Sequence, residues 1–163
     1  MGRKDHEGFA QPRSEGCAAS VTAIPAPSPP PGPDAAAVRE AVERFYAAFE
    51  ARDLDAMSDL WAHDETVSCT HPGWATLHGW AAVAASWFAI FDRSTPMQVF
   101  VTDLRVHVSG DAAWATVDEN LLGAAGEPAG TTVAALKVLR RSDAGWQLVA
   151  HHGSVVSGRP LAE

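Results

Sequence analysis

Cysteine is nearly absent from this chain. Cys17 and Cys69 are the two in 163 residues. One lies in a stretch without apolar periodicity and the other in an expected core strand, so no disulfide framework is available and a reducing, cytoplasmic setting is expected. Basic residues are also scarce. Twelve Lys and Arg stand against 20 Asp and Glu, for a formal net charge of −8. Nucleic-acid binding needs a concentrated cationic surface to displace counterions, so a nucleic-acid partner is not expected. Long apolar runs are missing as well. The stretch Cys17–Ile24 is too short and too polar at its borders to span a membrane, and it makes a poor signal-peptide core before Pro25. His6 stands where a myristoylation signal after Gly2 wants Ser or Thr, so no membrane partner or lipid anchor is expected. Gly123–Gly130 is Gly-rich but lacks the Lys and following helix of a phosphate-cradling loop. His71, His78, His151 and His152 lack a tight ligand spacing such as His-x-x-x-His, so neither a cofactor nor a metal is expected.

What is present is a 47% hydrophobic composition, enough for one domain with a core. Residues 1–33 carry no periodic apolar pattern and end in Pro25-Ala26-Pro27-Ser28-Pro29-Pro30-Pro31-Gly32-Pro33, the composition of a disordered, Pro-rich leader. Residues 34–156 read as the domain, and 157–163 as a C-terminal tail. With Asp34 as N-cap, Val38, Val42, Phe45 and Phe49 recur at helical spacing to about Asp53. Asp53 caps a short second helix bearing Leu54, Met57, Leu60 and Trp61, and Trp80–Phe91 aligns Trp80, Val83, Trp87 and Phe91 as a third.

Between the second and third helices, Glu65–Thr70 reads as a strand, Pro72-Gly73 as a turn and Trp74–Leu77 as a short return. After the third, strands follow one another. Met97, Val99 and Val101 alternate on odd positions, whereas Leu104, Val106 and Val108 alternate on even ones, so a β-bulge near Thr102-Asp103 is expected. Strands at Ala113–Leu122, Thr131–Arg141 and Trp146–Val156 complete the set, separated by the Gly123–Gly130 loop and the turn Ser142-Asp143-Ala144-Gly145. The fold class is α+β, a curved antiparallel sheet wrapped over helices.

His and Trp recur at element ends far apart in sequence, in His71-Pro72-Gly73-Trp74, His78-Gly79-Trp80, Ser86-Trp87 and His151-His152-Gly153-Ser154, which points to one lined cavity. On the strand from Ala113, the residues Ala113, Ala115, Val117, Glu119 and Leu121 share a face, so Glu119 points inward, while Trp114, Thr116, Asp118 and Asn120 face out. A carboxyl among apolar side chains loses solvation and can serve as a general acid or base, or be a structural carboxyl bonded to a Trp or to backbone. On the last strand Trp146, Leu148, Ala150, His152 and Ser154 share parity, placing His152 and Ser154 at the cavity and His151 on the other side. His152 is thus the first candidate for proton transfer, with a core histidine bonded to Glu119 or Tyr46 as the competing reading. Glu119, His152 and His71 are the candidate catalytic residues. Tyr46, Trp61, Trp74, Trp87 and Ser154 are the candidate substrate contacts, the tryptophans serving equally well as core filling.

The text Phe45-Tyr46-Ala47-Ala48-Phe49, Asp53-Leu54-Asp55-Ala56-Met57, Gly110-Asp111-Ala112-Ala113-Trp114 and Gly145-Trp146-Gln147-Leu148-Val149-Ala150-His151-His152-Gly153-Ser154 resembles the SnoaL-like branch of the nuclear-transport-factor-2-like (NTF2-like) superfamily, related to ketosteroid isomerase and to the kinase association domain. The resemblance covers residues 34–156. It implies a cone-shaped α+β fold with three N-terminal helices in the concave face of a bulged antiparallel sheet, and a pocket for a small molecule. It further implies an isomerase or dehydratase acting by acid/base transfer on an apolar, aromatic or polyketide-like substrate, or a non-catalytic ligand-binding or assembly module, while Trp114, on the strand face opposite Ala113, Ala115 and Val117, needs cover and makes a homodimer through the outer sheet face the expectation.

Overall fold

The structure is a computed structural model that describes residues 32–93, 97–122 and 128–157, with the side chains of 128–130 excepted. The expected leader and tail lie outside the described residues apart from Gly32, Pro33 and Ser157, as does most of the Gly123–Gly130 loop.

Helix α1 runs over Pro33–Ala51, α2 over Leu54–Asp59 and α3 over Trp80–Arg93. Gly32, not Asp34, is the N-cap of α1, with Pro33 at the first helical position, where its missing N–H costs nothing. Asp34 instead pairs with Arg141 at 2.7 Å. Arg52 ends α1 in the left-handed region at φ 56°, and the Asp53 carboxylate accepts from the Ala56 N–H at 2.9 Å, capping α2 as its sequence position predicts.

The described residues form six strands, the first two between α2 and α3 and the rest after α3: β1 (Ser68–Thr70), β2 (Leu77–His78), β3 (Gln98–Ser109), β4 (Ala112–Leu122), β5 (Pro128–Ser142) and β6 (Gly145–Val155). The sheet order is β2-β1-β6-β5-β4-β3. β1 is shorter than expected because Asp64 closes a turn on the Thr66 N–H at 2.8 Å, which takes residues 64–66 out of the strand. The sheet is not wholly antiparallel. β3 to β6 form an antiparallel meander, but β1 pairs parallel with β6, with Ser68, Cys69 and Thr70 opposite Ala150, His151 and His152. The same parallel seam continues at Trp61 and Leu148, where the Ala62 N–H donates to Leu148 O at 2.9 Å.

Two bulges set which side chains face the helices. In β3 the register slips between Thr102 and Arg105, with Asp103 at φ 51°, where the parity change predicts it. In β6 the register slips between the pairs Val138–Ala150 and Leu139–Leu148, which leaves Val149 as an extra residue. The core lies between α1, α3 and the inner sheet face and includes Val38, Val42, Phe45, Val83, Trp87, Ala113, Ala115, Val117, Leu139 and Leu148. No described helix is long and apolar enough to cross a membrane.

Candidate functional site

A cavity of about 280 Å³ opens between α1, α3 and the inner face of the sheet, walled mainly by apolar groups including Phe45, Phe49, Trp87, Val99 and Leu121. Each polar side chain on its wall is delivered by an identifiable local cause. Tyr46 lies on the buried stripe of α1. His71 follows the last residue of β1. The next residue, Pro72, packs on Gly153, where a β-carbon would lie 3.2 Å from Pro72 Cδ and from Val133 Cγ1. Glu119 sits on the inward parity of β4, between the buried Val117 and the cavity residue Leu121.

Glu119 is held by two groups. The Tyr46 hydroxyl donates to Oε1 at 2.7 Å, and the Lys137 ammonium donates to the same oxygen at 2.9 Å and to the Tyr46 oxygen at 2.7 Å, closing a three-membered ring of charge-assisted bonds. Lys137 has 0% exposure. Its Nζ lies 4.4 Å from the Phe45 ring centroid and 4.5 Å from that of Tyr46, so two aromatic faces replace part of the lost hydration. Burial pushes the lysine below its ordinary pKa, opposed by Glu119. Burial, then the Glu119 charge and hydrogen bond, pushes the Tyr46 phenol above its own.

His71 is a neutral ring in a fixed orientation. Ser86 donates its hydroxyl to Val83 O at 2.7 Å, so it receives the His71 Nε2–H at 2.8 Å, and His71 therefore carries its proton on Nε2. The ring stands edge-on to Trp87 at 4.6 Å and to Trp74 at 5.2 Å. Burial holds its pKa down to about 4, with Glu119 opposing. Cys69 touches the same ring at 3.7 Å, but burial pushes its thiol up to about 12, so it stays protonated and inert.

His151 is the second cavity imidazole. It is buried, and burial, then the charges of Lys137, His71 and His152, keep it far below the usual histidine range. The sequence parity assigned this place to His152. The extra residue Val149 reverses the alternation, so from residue 150 onward the assignment inverts: His151 and Gly153 are buried, while His152 and Ser154 are exposed on the outer face opposite Leu136 and Ala134. Trp61 is also not a cavity residue. It is fully buried beside the β6 seam, tilted against Trp80 at 6.4 Å between centroids. Tyr46, His71, Trp74, Trp87 and Glu119 do line one cavity. Lys137 escaped the sequence reading, although Val133, Ala135, Lys137 and Leu139 put it on the buried parity of β5. Among the described residues no group of three or more His, Cys, Asp or Glu is placed to hold a metal ion.

A helical lid over a bulged sheet, with an apolar cavity between them, defines an NTF2-like α+β domain. The SnoaL-like domain model matches residues 38–158, and the chain belongs to that family. A candidate dehydratase of the NTF2-like family from Streptomyces avermitilis is 38% identical, covering 77% of this chain and 97% of that one at a TM-score of 0.71. A candidate association domain of calcium/calmodulin-dependent protein kinase type II from Thiobacillus denitrificans is 39% identical, covering 73% and 94% at 0.68. The F-box protein SKIP8 of Arabidopsis thaliana is 29% identical over 112 residues, 69% of this chain and 46% of that protein, so the chain spans under half of that relative's length.

Proposed function

We propose that this chain is a small-molecule enzyme of the SnoaL-like type, an isomerase or dehydratase that moves a proton to and from an apolar or aromatic, polyketide-like substrate. The observation that carries this reading is Glu119. Its Oε1 is saturated by Tyr46 and Lys137, and its Oε2 has no partner among the described residues at the wall of an apolar cavity. A carboxylate so fixed loses no bond of its own when Oε2 accepts a proton. Such proton transfer calls on no cofactor. The likeness to the dehydratase candidate agrees with this reading.

A second reading, a ligand-binding or assembly module without catalysis, draws on the likeness to the kinase association domain. Native mass spectrometry of the full chain, followed by incubation of the captured compound, separates the two. For the enzyme, the compound is converted by the wild type and recovered unchanged from Glu119→Gln, which still binds it. Recovery unchanged from both proteins supports the module.

A further inference from the structure

Helix α3 is apolar on every side. None of residues 80–91 carries a charge, and the one hydroxyl among them, that of Ser86, is buried. A helix of that kind is ordinarily enclosed by protein on all sides. Here one side is open. Val83, Trp87 and Phe91 are buried, whereas Ala81, Ala85 and Phe88 are exposed at successive turns, Phe88 at 59%. Helix α1 shows a solvated face in the same chain, since it leaves Glu40, Glu43, Arg44 and Glu50 exposed. The bare side of α3 has no such charges and calls for a cover. A cavity of about 230 Å³ adjoins it, lined by Leu54, Asp55 and Met57 of α2 and by Trp80, Ala84 and Trp87 of α3. An apolar cavity of about 150 Å³ is enough to hold a benzene ring, so this one admits a phenyl group. Phe88, one turn beyond Ala84, is not among its lining residues. The charges at the two ends of α3 are also unmatched. Its first turn carries no acidic residue against the positive end of the helix dipole, and Asp55, Asp92 and Arg93 enter no ion pair among the described residues.

We propose that a second copy of this chain covers the bare side of α3, helix against helix in antiparallel register about a two-fold axis level with Ser86, with Phe88 of each copy seated in the α2–α3 cavity of the other. Phe88 and Ala84 stand equally far from Ser86 on either side, so that register sets the ring of one copy beside Ala84 of its partner. Asp92 and Trp80 are likewise equidistant from Ser86. The same register therefore carries Asp92 to the start of the other copy's α3, where an acid is missing, and brings Arg93 toward its Asp55. A parallel register leaves both cavities empty and sets like helix ends side by side. The contact is self-complementary, because one rotation fills both cavities and pairs both sets of charges, and it closes at two copies. One helix face is a small interface, so the association is weak and belongs to high protein concentration. This surface is separate from the outer face of the sheet, and the proposal does not rest on the proton-transfer reading of Glu119.

The test uses the full chain carrying Trp114→Glu, which puts a charge on the outer sheet face and keeps any contact made there out of the measurement. Sedimentation from about 10 μM to about 1 mM should show a monomer–dimer equilibrium in the upper part of that range. Phe88→Ala should weaken it about tenfold, and the change leaves the fold intact because the ring is exposed. Ala84→Ile keeps the ring but fills the cavity, and should weaken the pair as well. A mixture of the two folded variants retains one ring and one open cavity that match, so it should associate more tightly than either variant alone. That arm separates a seated ring from general stickiness of an apolar face. Amide NMR of the chain without a change in α3 reads the surface directly: on concentration, signals of α2 and α3 should move and those of β3 to β5 should stay. A monomer at the highest concentration overturns the proposal, as does association indifferent to Phe88→Ala. Growth beyond two copies, a mixture of folded variants no tighter than its parts, or signal changes away from α2 and α3 also overturns it.

Discussion

At the scale of the residue, Lys137 is the group whose position demands the most of its surroundings. A fully buried ammonium is tolerable only while its carboxylate and phenol partners remain, so removing one partner is worse than removing both. Lys137→Met is expected to lower stability by about 3–5 kcal/mol, because Glu119 is left without its counter-charge, and Lys137→Met combined with Glu119→Leu should recover most of that loss. Urea midpoints at unchanged m report both. The imidazoles set the acid limit. His71 and His151 have folded-state pKa values below the ordinary histidine value of 6.5, so between about pH 4 and pH 6.5 the unfolded chain binds more protons than the folded one. Stability therefore rises with pH through that window and is lost on acidification, by up to about 1.4 kcal/mol per pH unit for each ring. Unfolding free energies that stay level from pH 7 down to pH 4.5 contradict the buried neutral state of both rings. Glu119 and its inward direction were legible in sequence because its β4 neighbours alternate cleanly. Lys137 was equally legible, since a lysine in step with Val133, Ala135 and Leu139 is the same signal carrying a charge. Its partners were not, because a strand pattern says nothing of what stands across the sheet.

At the scale of the element, the two bulges show when an irregularity leaves a trace in sequence. The one at Thr102–Asp103 breaks an alternation of large apolar residues and can be read from it. The one at Val149 cannot, because Val149 and Ala150 are both apolar and the series Trp146, Leu148, Ala150, His152 runs through it without interruption. That single hidden residue accounts for the exchange of His151 and His152. Trp61 was ambiguous for a different reason, since an apolar side chain at a helix end has the same pattern whether it meets a ligand or a strand. A histidine-acylating reagent is expected to modify the exposed His152 in the folded protein and to spare His151 until unfolding. In a chain lacking Val149 the pairs Leu139–Leu148 and Val138–Ala150 become consecutive, so the same order of protection should be kept. Equal reactivity of both rings in the wild type counts against the register described for β6.

At the scale of the whole molecule, the outer face of the meander has an apolar surface to cover. Phe100 is 63% exposed, and Trp114 and Leu136 are each 40% exposed. The β3–β4–β5 pairings put all three on the face away from the helices, with His107 stacked on Trp114 at 5.2 Å. We propose a second copy of this chain as the cover. Sedimentation at micromolar concentration should give a dimer, and Trp114→Glu should shift it toward monomer. A monomer at all concentrations, or a dimer indifferent to that change, contradicts the proposal. The parallel seam between β1 and β6 has a consequence of another kind, which concerns time. The antiparallel partners in β3 to β6 are close in sequence and can meet through short loops, but Ser68–Thr70 must wait for Ala150–His152, across most of the domain, and the entropy of closing so long a loop is repaid only once both edges exist. The helical half is therefore expected to dock last. Weakening the seam at Cys69 should quicken unfolding while leaving the refolding rate nearly untouched, and the cavity, which needs both halves, comes into being only at the end of folding.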